Sequence, residues 1–524
     1  MKYCLLSIIL LIFLSCEEDK NDFHYKEINE LESVTNMEDN YYTLYLSSVL
    51  QIKPEISFTQ DMNGSGKYSY EWKAVPVLDD SGKGWIIGTE KNLEYPMELS
   101  EGVYTLYLKI KDEITGILWM AQTTVTVSSP LSRGFLLIGE GNDGTMRLDM
   151  ISMPAGQDTS IVVRDMLADK GLPVMKRPVG VQYTGTSTNS RITPRLWVMT
   201  EEGGCYVDPK TLEYTANNHI DGMLFTSFSV PDNICPVEIA PRAVNGKMYG
   251  SNHYLLCNNG YVFAAGISGG EYYQNPINRL SKESEDLFHV APYLMYSPGN
   301  TYGPSAIVLY DTDNNRFVGG GATYAGCMKL LADKEGDLFP WNQGENGPTL
   351  KYAENTIYGD VRGGYTFALM QNGMNYDIYT FTALATPGKI GKYSVQSLAT
   401  DFSKASHYAF SSERTLVFYS VGSRLYAYDY NPGHERVQDL GDWGGEITML
   451  KFNIQGCYEE SVRPWTAHKE TINDLYIATY NTPDGGRLRK LTVGINPDVI
   501  EVTSDPKADW TGLGKIVNMD WRND

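Results

Sequence analysis

The sequence predicts an all-β protein: an N-terminal immunoglobulin-like sandwich followed by a seven-bladed β-propeller. Three observations predict it. Aromatic residues make up 12% of the 524, with 37 Tyr, and there are 50 Gly. That balance suits pleated strands and tight turns over helical bundles. Short runs between residues 41 and 129 alternate apolar and polar side chains with period two. Beyond residue 132, a strand–turn–strand pattern recurs seven times. At roughly 150 residues per domain, the length asks for two or more domains. Apolar residues at 42% and charged residues at 20% provide for a core and exclude a disordered chain. The formal charge of −21 argues against nucleic acid as a partner, because phosphate binding needs a basic face.

The first element is an export signal. Lys2 supplies a positive start, and Leu5 to Leu14 is apolar apart from Ser7. Spanning a bilayer as a helix takes roughly 20 apolar residues, so this shorter run reads as the h-region of a signal peptide over residues 1–15. The run ends Phe13-Leu14-Ser15-Cys16, which resembles the lipobox of bacterial lipoproteins. The resemblance implies cleavage before Cys16 and lipid on its thiol. Glu17-Glu18-Asp19 follows and resembles the surface-export signal of Bacteroidetes lipoproteins; it also serves as a solvated acidic tether. Residues 16–40 are expected to be a lipidated, polar tether. Cys205, Cys235, Cys257, Cys327 and Cys457 remain, an odd and widely spaced set that makes no disulfide framework, although one pair can still bridge. No C-x-x-C occurs, so a zinc ribbon is unsupported.

Residues 41–129 read as the sandwich. Strands are expected at Thr43 to Val49, Tyr68 to Trp72, Gly102 to Ile110 and Thr123 to Val127. Turn residues separate them at Asn63 to Gly66, Asp79 to Gly82 and Thr115-Gly116. Tyr70-x-Trp72, then Gly102-x-Tyr104-x-Leu106-x-Leu108 with Asp112 and a closing Thr-Val-Thr-Val, resembles a PKD-type domain. The resemblance implies that Trp72 packs in the core and that the domain is a spacer or adhesion module.

Residues 132–524 read as the propeller. The repeated unit begins at Phe135, Leu196, Tyr254, Ala306, Thr366, Leu416 and Leu475, with successive starts 61, 58, 52, 60, 50 and 59 residues apart. An all-strand repeat of this length suits four-stranded blades. Gly512 to Trp521 reads as one further strand, which could complete the first blade and remove the open edges. A run of sandwich domains is the rival arrangement. The near-constant spacing disfavours it.

Chemistry is sparse. Gly266-Ile267-Ser268-Gly269-Gly270 matches G-x-S-x-G, but Glu271 to Pro276 does not open the helix a nucleophile elbow requires. Asp311 to Asn315 opens like a calcium loop, yet Arg316 and Ala322 stand where an EF-hand needs Gly and Glu, so a polar hairpin turn is expected. The histidines are scattered, and no P-loop or dinucleotide fingerprint is present. Neither a metal nor a cofactor is expected, and no catalytic residues can be named. Glycosidase chemistry needs two carboxylates at a set separation, which sequence cannot establish. Aromatic loops are the binding candidates: Trp341 and Asn342, Tyr272 and Tyr273, and Tyr296 and Tyr302. Aromatic faces beside amides suit a sugar or peptide, and packing between blades is the alternative use of the same residues.

The two domains together resemble the PKD-like family of Bacteroidetes surface lipoproteins, which are encoded beside SusC/SusD-like importers. The resemblance implies a cell-surface protein held in the outer membrane by lipid. It would bind a SusC-like transporter and a SusD-like lipoprotein and capture a peptide or glycan. A surface glycan hydrolase or lyase and a structural adhesion protein are the other readings.

Overall fold

The computed structural model describes residues 28–523, apart from 46–47, 79–82, 155–158, 185, 188–192, 231–233, 243–246, 249–251, 267–271, 298–305, 321–325, 357–363 and 454–470. Cys16, Tyr302 and most of the G-x-S-x-G segment therefore lie outside the described residues. The chain divides into two compact units, the first ending at Ser128 and the second beginning at Ser129. Both are all-β, with no α-helix among the described residues.

In the first unit, a five-stranded sheet runs in the order Asn40–Leu44, Leu118–Ser128, Gly102–Asp112, Tyr68–Pro76, Trp85–Gly88. Two strand pairs accompany it: Leu31–Thr35 with Glu55–Phe58, and Val49–Ile52 with Leu93–Pro96. One core joins all three. Trp72, Leu106, Leu108 and Ile110 from the large sheet pack with Ile52, Ile56, Phe58 and Leu93 from the pairs. Alternation over Gly102–Asp112 places every second residue in that core. Trp72 is wholly buried, as its core role requires, and its indole N–H donates to the Glu90 carbonyl at 3.1 Å. Two expectations are corrected. Leu31–Thr35 is a strand and not part of a tether, because Leu31 and Val34 pack on the core. The run from Thr43 to Val49 is not one strand but the junction of two, Asn40–Leu44 and Val49–Ile52.

The second unit holds seven antiparallel sheets of three or four strands among the described residues. Sheet 1 is Ile161–Val163, Met146–Ser152, Arg133–Glu140 and Lys515–Asn523. Sheet 2 is Pro178–Tyr183, Leu196–Thr200 and Gly203–Val207. Sheet 3 is Pro236–Ala240, Asn252–Cys257 and Val262–Gly266. Sheet 4 is Ile307–Asp311, Arg316–Gly320 and Met328–Leu330. Sheet 5 is Thr349–Asn355, Thr366–Asn372, Asn375–Thr382 and Gly388–Ser394. Sheet 6 is His407–Phe410, Leu416–Val421, Arg424–Asp429 and Arg436–Asp442. Sheet 7 is Glu446–Phe452, Asp474–Asn481, Gly485–Val493 and Val502–Leu513. Each of the seven repeated segments falls on a hairpin of a different sheet.

The apolar runs have a simple cause. Both faces of these strands are buried, so the sequence runs apolar without alternation. In Arg133–Glu140, Leu136 and Ile138 pack with Val181, Leu196 and Val198 of sheet 2. The intervening Phe135 and Leu137 pack the other way, with Tyr476, Ala478 and Leu488 of sheet 7. Further clusters join sheets 2 and 3, 3 and 4, 4 and 5, 5 and 6, and 6 and 7. Apolar side chains thus link every consecutive pair of sheets, and the last to the first.

The strand expected from Gly512 to Trp521 is divided at Gly514: Gly512 and Leu513 end the last strand of sheet 7, and a separate strand follows. Lys515–Asn523 pairs antiparallel with Arg133–Glu140, with a bulge between Ile138 and Gly139. Gly139 is required there: a Cβ would stand 2.4 Å from the Lys515 carbonyl oxygen. The segment Asp311 to Asn315 is a hairpin turn. The wholly buried Asp311 carboxylate accepts the backbone N–H groups of Asp313 and Asn314 and pairs with Arg316 at 2.9 Å.

Candidate binding cavity

The strand at one edge of each sheet in the second unit borders a shared cavity of about 370 Å³. Sheet 1 contributes Asn518, sheet 2 Val179, sheet 3 Glu238, sheet 5 Glu354, sheet 6 His407 and sheet 7 Lys451. At sheet 4 the contribution comes from the segment ending in Tyr296. Its Met295 exchanges backbone hydrogen bonds with Val308, at 3.2 and 2.8 Å, and so acts as that sheet's edge strand.

Charge is concentrated here. Glu238, Glu354, Arg242 and Lys451 line the cavity, and Arg242 and Lys451 also border a small adjoining pocket with Asp520. The three acids and Lys451 are each held by a backbone group of a neighbouring sheet, and Arg242 by the Asp520 carboxylate. Glu354 Oε2 accepts the Phe410 N–H at 2.8 Å, and Glu238 Oε2 accepts the Leu294 N–H at 3.3 Å. Asp520 Oδ2 accepts the Tyr183 N–H at 2.8 Å, and Arg242 stands 3.9 Å from its other oxygen. Lys451 Nζ donates to Asn518 Oδ1 at 3.0 Å and to the Met519 carbonyl at 2.7 Å. An ammonium has three donors, so among the described residues these two bonds leave one for a ligand.

Burial tunes these groups. It pushes the Glu354 carboxyl up to about 7, against the pull of the Phe410 N–H and the Lys451 charge. It pushes Lys451 down to about 7, helped by the positive charge of Arg242 and opposed by Asp520 and both glutamates. Glu238 and Asp520 are raised for the same reason, with Arg242 opposing. Burial also works against the charge on Arg242, but Asp520 and Glu238 outweigh it, so the guanidinium stays charged. His407 is lowered by burial. An acid and an amine that both titrate near neutrality in one cavity can bind charged groups or exchange protons.

The six aromatic-loop candidates part company. Tyr296 lines the cavity at 2% exposure, and its hydroxyl accepts the Arg242 backbone N–H at 3.3 Å. Trp341 offers no open face. It is 4% exposed, with its ring edge-on to Phe339 and Phe381 and the Lys389 ammonium 5.0 Å from its centroid. Asn342 is exposed, and its side chain accepts the Gly344 N–H within a turn. Tyr273 is fully buried between sheets 2 and 3, whereas its neighbour Tyr272 is 58% exposed. Tyr302 lies outside the described residues. Tyr273, Tyr296 and Trp341 belong to three different clusters and do not form one site. The five ionisable residues escaped sequence reasoning. Their only signal is a charge among apolar neighbours, as in the segments VEIAPR, YAEN, MLKF and NMDW.

Residues 16–178 match a PKD-like family, a span that covers the first unit and reaches into sheet 1 and the first residue of sheet 2. No curated protein matches the chain. Among solved structures, a quinonprotein alcohol dehydrogenase-like protein from Bacteroides thetaiotaomicron is similar at 13% identity, over 93% of this chain and 98% of that one, with a TM-score of 0.34. A protein from Lactobacillus plantarum is similar at 11% identity, over 74% of this chain and 99% of that one, with a TM-score of 0.40. The chain is all-β, and its N-terminal part is PKD-like.

Proposed function

We propose that this is a ligand-binding lipoprotein of the cell surface, whose second unit is a seven-bladed propeller with its binding site at the central cavity. Support for the ring comes from apolar packing between each consecutive pair of sheets, and between sheets 7 and 1. The observation that carries the function is the cavity itself. Two cations and three carboxylates from sheets 1, 3, 5 and 7 gather at one place. Gathering buried charge opposes folding unless something uses it. Charges of both signs within about 370 Å³ suit a small peptide, whose ammonium meets Glu238 and Glu354 while its carboxylate meets Lys451. The lipobox-like sequence at Cys16 and the PKD-like match support a place beside a SusC/SusD-like importer in the outer membrane.

A pull-down from detergent-solubilised outer membranes, with a C-terminal tag and mass spectrometry, tests the assembly. Calorimetry of the purified chain against a peptide pool and an oligosaccharide pool tests capture, with Lys451→Met as the variant that abolishes it. Recovery of neither importer subunit nor ligand overturns the proposal.

One observation favours a second reading. A carboxyl near 7, as at Glu354, suits general acid–base catalysis. Product release from a polysaccharide panel, lost in Glu354→Gln, would make the cavity a hydrolase or lyase site.

A further inference from the structure

We infer that the outer part of sheet 3 carries a second binding site, for a carboxylate-bearing sugar. A pocket of about 470 Å³ lies there, between the 225–227 segment and the 274–279 segment. The second segment extends sheet 3 beyond Val262–Gly266: the Gln274 N–H donates to the Ala264 carbonyl and the Ile277 N–H to that of Val262. The first segment is tied to it by the Phe225 N–H, which donates to the Tyr273 carbonyl at 2.7 Å.

Among the described residues the lining is rich in donors and contains no carboxylate, in a chain of net charge −21. Arg279 is the cation. It is 6% exposed, and Nε and Nη1 donate to the carbonyls of Gly326 and Ser284, both at 3.0 Å. The Phe228 ring, 5.0 Å away, covers one face of its guanidinium. Among the described residues Nη2 has no acceptor, and no carboxylate pairs with Arg279. Glu283 in that loop feels the Arg279 charge but makes no ion pair with it, and is exposed and outside the pocket. Asn275 supplies a second donor. Its side-chain oxygen already accepts Thr226 Oγ1 at 2.8 Å, the Ser227 N–H at 2.8 Å and Ser227 Oγ at 3.2 Å. Three bonds to the oxygen fix the orientation of the amide, and among the described residues its NH₂ is left to donate to a ligand. Phe225, 79% exposed, supplies an aromatic face at the mouth.

A guanidinium edge and an amide NH₂ receive a carboxylate. An exposed ring beside hydroxyls and amides receives the apolar face of a sugar. The combination selects an acidic sugar over a neutral one.

Calorimetry on the full chain decides it, using trigalacturonate and sialyllactose, with maltotriose and lactose as neutral counterparts. At least one acidic sugar binds, and its neutral counterpart binds about tenfold more weakly or worse, the loss expected for one charge-assisted hydrogen bond. Phe225→Ala leaves the fold intact, because the ring is exposed, and weakens binding by about tenfold, as loss of a stacking face does. Arg279→Gln removes the preference for acid. Lys451→Met leaves acidic-sugar binding unchanged, which separates this site from the central cavity. The inference is overturned if neither acidic sugar binds, if acidic and neutral sugars bind equally, or if Phe225→Ala binds like the parent.

Discussion

The guanidinium of Arg242 stands 3.9 Å from the carboxylate of Asp520. Asp520 is 3% exposed and belongs to the last strand, Lys515–Asn523, whereas Arg242 follows the first strand of sheet 3. Asp520 also accepts the Tyr183 N–H of sheet 2. One carboxylate therefore ties three sheets together. Removing one partner of a buried pair leaves the other charge uncompensated, at a cost of about 3–5 kcal/mol. Asp520→Ala is expected to lose a large part of that, read as a lower urea midpoint at unchanged slope. Asp520→Asn, which keeps an acceptor for Tyr183, should lose less.

The cavity makes stability depend on pH in two opposed ways. Burial raises Glu354 from 4.5 to about 7. Its contribution is then complete below 4.5 and is lost as pH rises through about 7. Lys451 is depressed from 10.5 to about 7, so its contribution is complete above 10.5 and is lost as pH falls through about 7. Both act against the fold near neutrality. Relative to the parent, Glu354→Gln should gain stability as pH rises across its window, and Lys451→Met as pH falls across the other. Each gain is on the order of 1–3 kcal/mol, since a tenfold change in a proton-binding equilibrium is worth about 1.36 kcal/mol. Urea unfolding of all three proteins from acid to alkaline pH checks the signs. Parallel curves would contradict this.

The hairpins were legible because their physics is local. Leu136 and Leu137 point to opposite interfaces and both are buried, so the strand announces itself as an unbroken apolar run before a Gly or Asn turn. The outer strands were not legible. Gly388–Ser394 has a single buried residue, and Leu31–Thr35 is short and half-polar, so neither carries enough apolar residues to signal itself. The cavity was illegible for a different reason. Glu238, Glu354 and Lys451 are far apart in sequence, and only the arrangement of sheets makes them neighbours. Aromatic loops drew the eye instead, yet burial separates Trp341 from Tyr272, which look alike in sequence.

That contrast is testable. Trp341 sits against Phe317, Phe339 and Phe381. Truncating a buried Trp costs about 3–5 kcal/mol, so Trp341→Ala should lower the unfolding midpoint strongly. Tyr272→Ala removes an exposed ring and should stay within about 0.5 kcal/mol of the parent. A stable Trp341→Ala would refute the core assignment.

The terminal strand carries more than its own residues. Lys515–Asn523 covers one edge of Arg133–Glu140, and Trp521 packs edge-on against Phe135 at 4.7 Å. Beyond it, Met519 and Trp521 share a cluster with Met449, Tyr476 and Leu488 of sheet 7. Deleting residues 515–524 would uncover a strand edge and an apolar interface together, and an uncovered apolar edge pairs with other chains. The truncated chain should therefore elute as aggregate and lose its sharp thermal transition. Trp521→Ala, which keeps the edge covered and leaves a cavity, should elute like the parent while losing about 3–5 kcal/mol. If the truncated chain were a monomer that unfolded cooperatively, the last strand would be an accessory to the fold and the packing of sheet 7 on sheet 1 would hold without it.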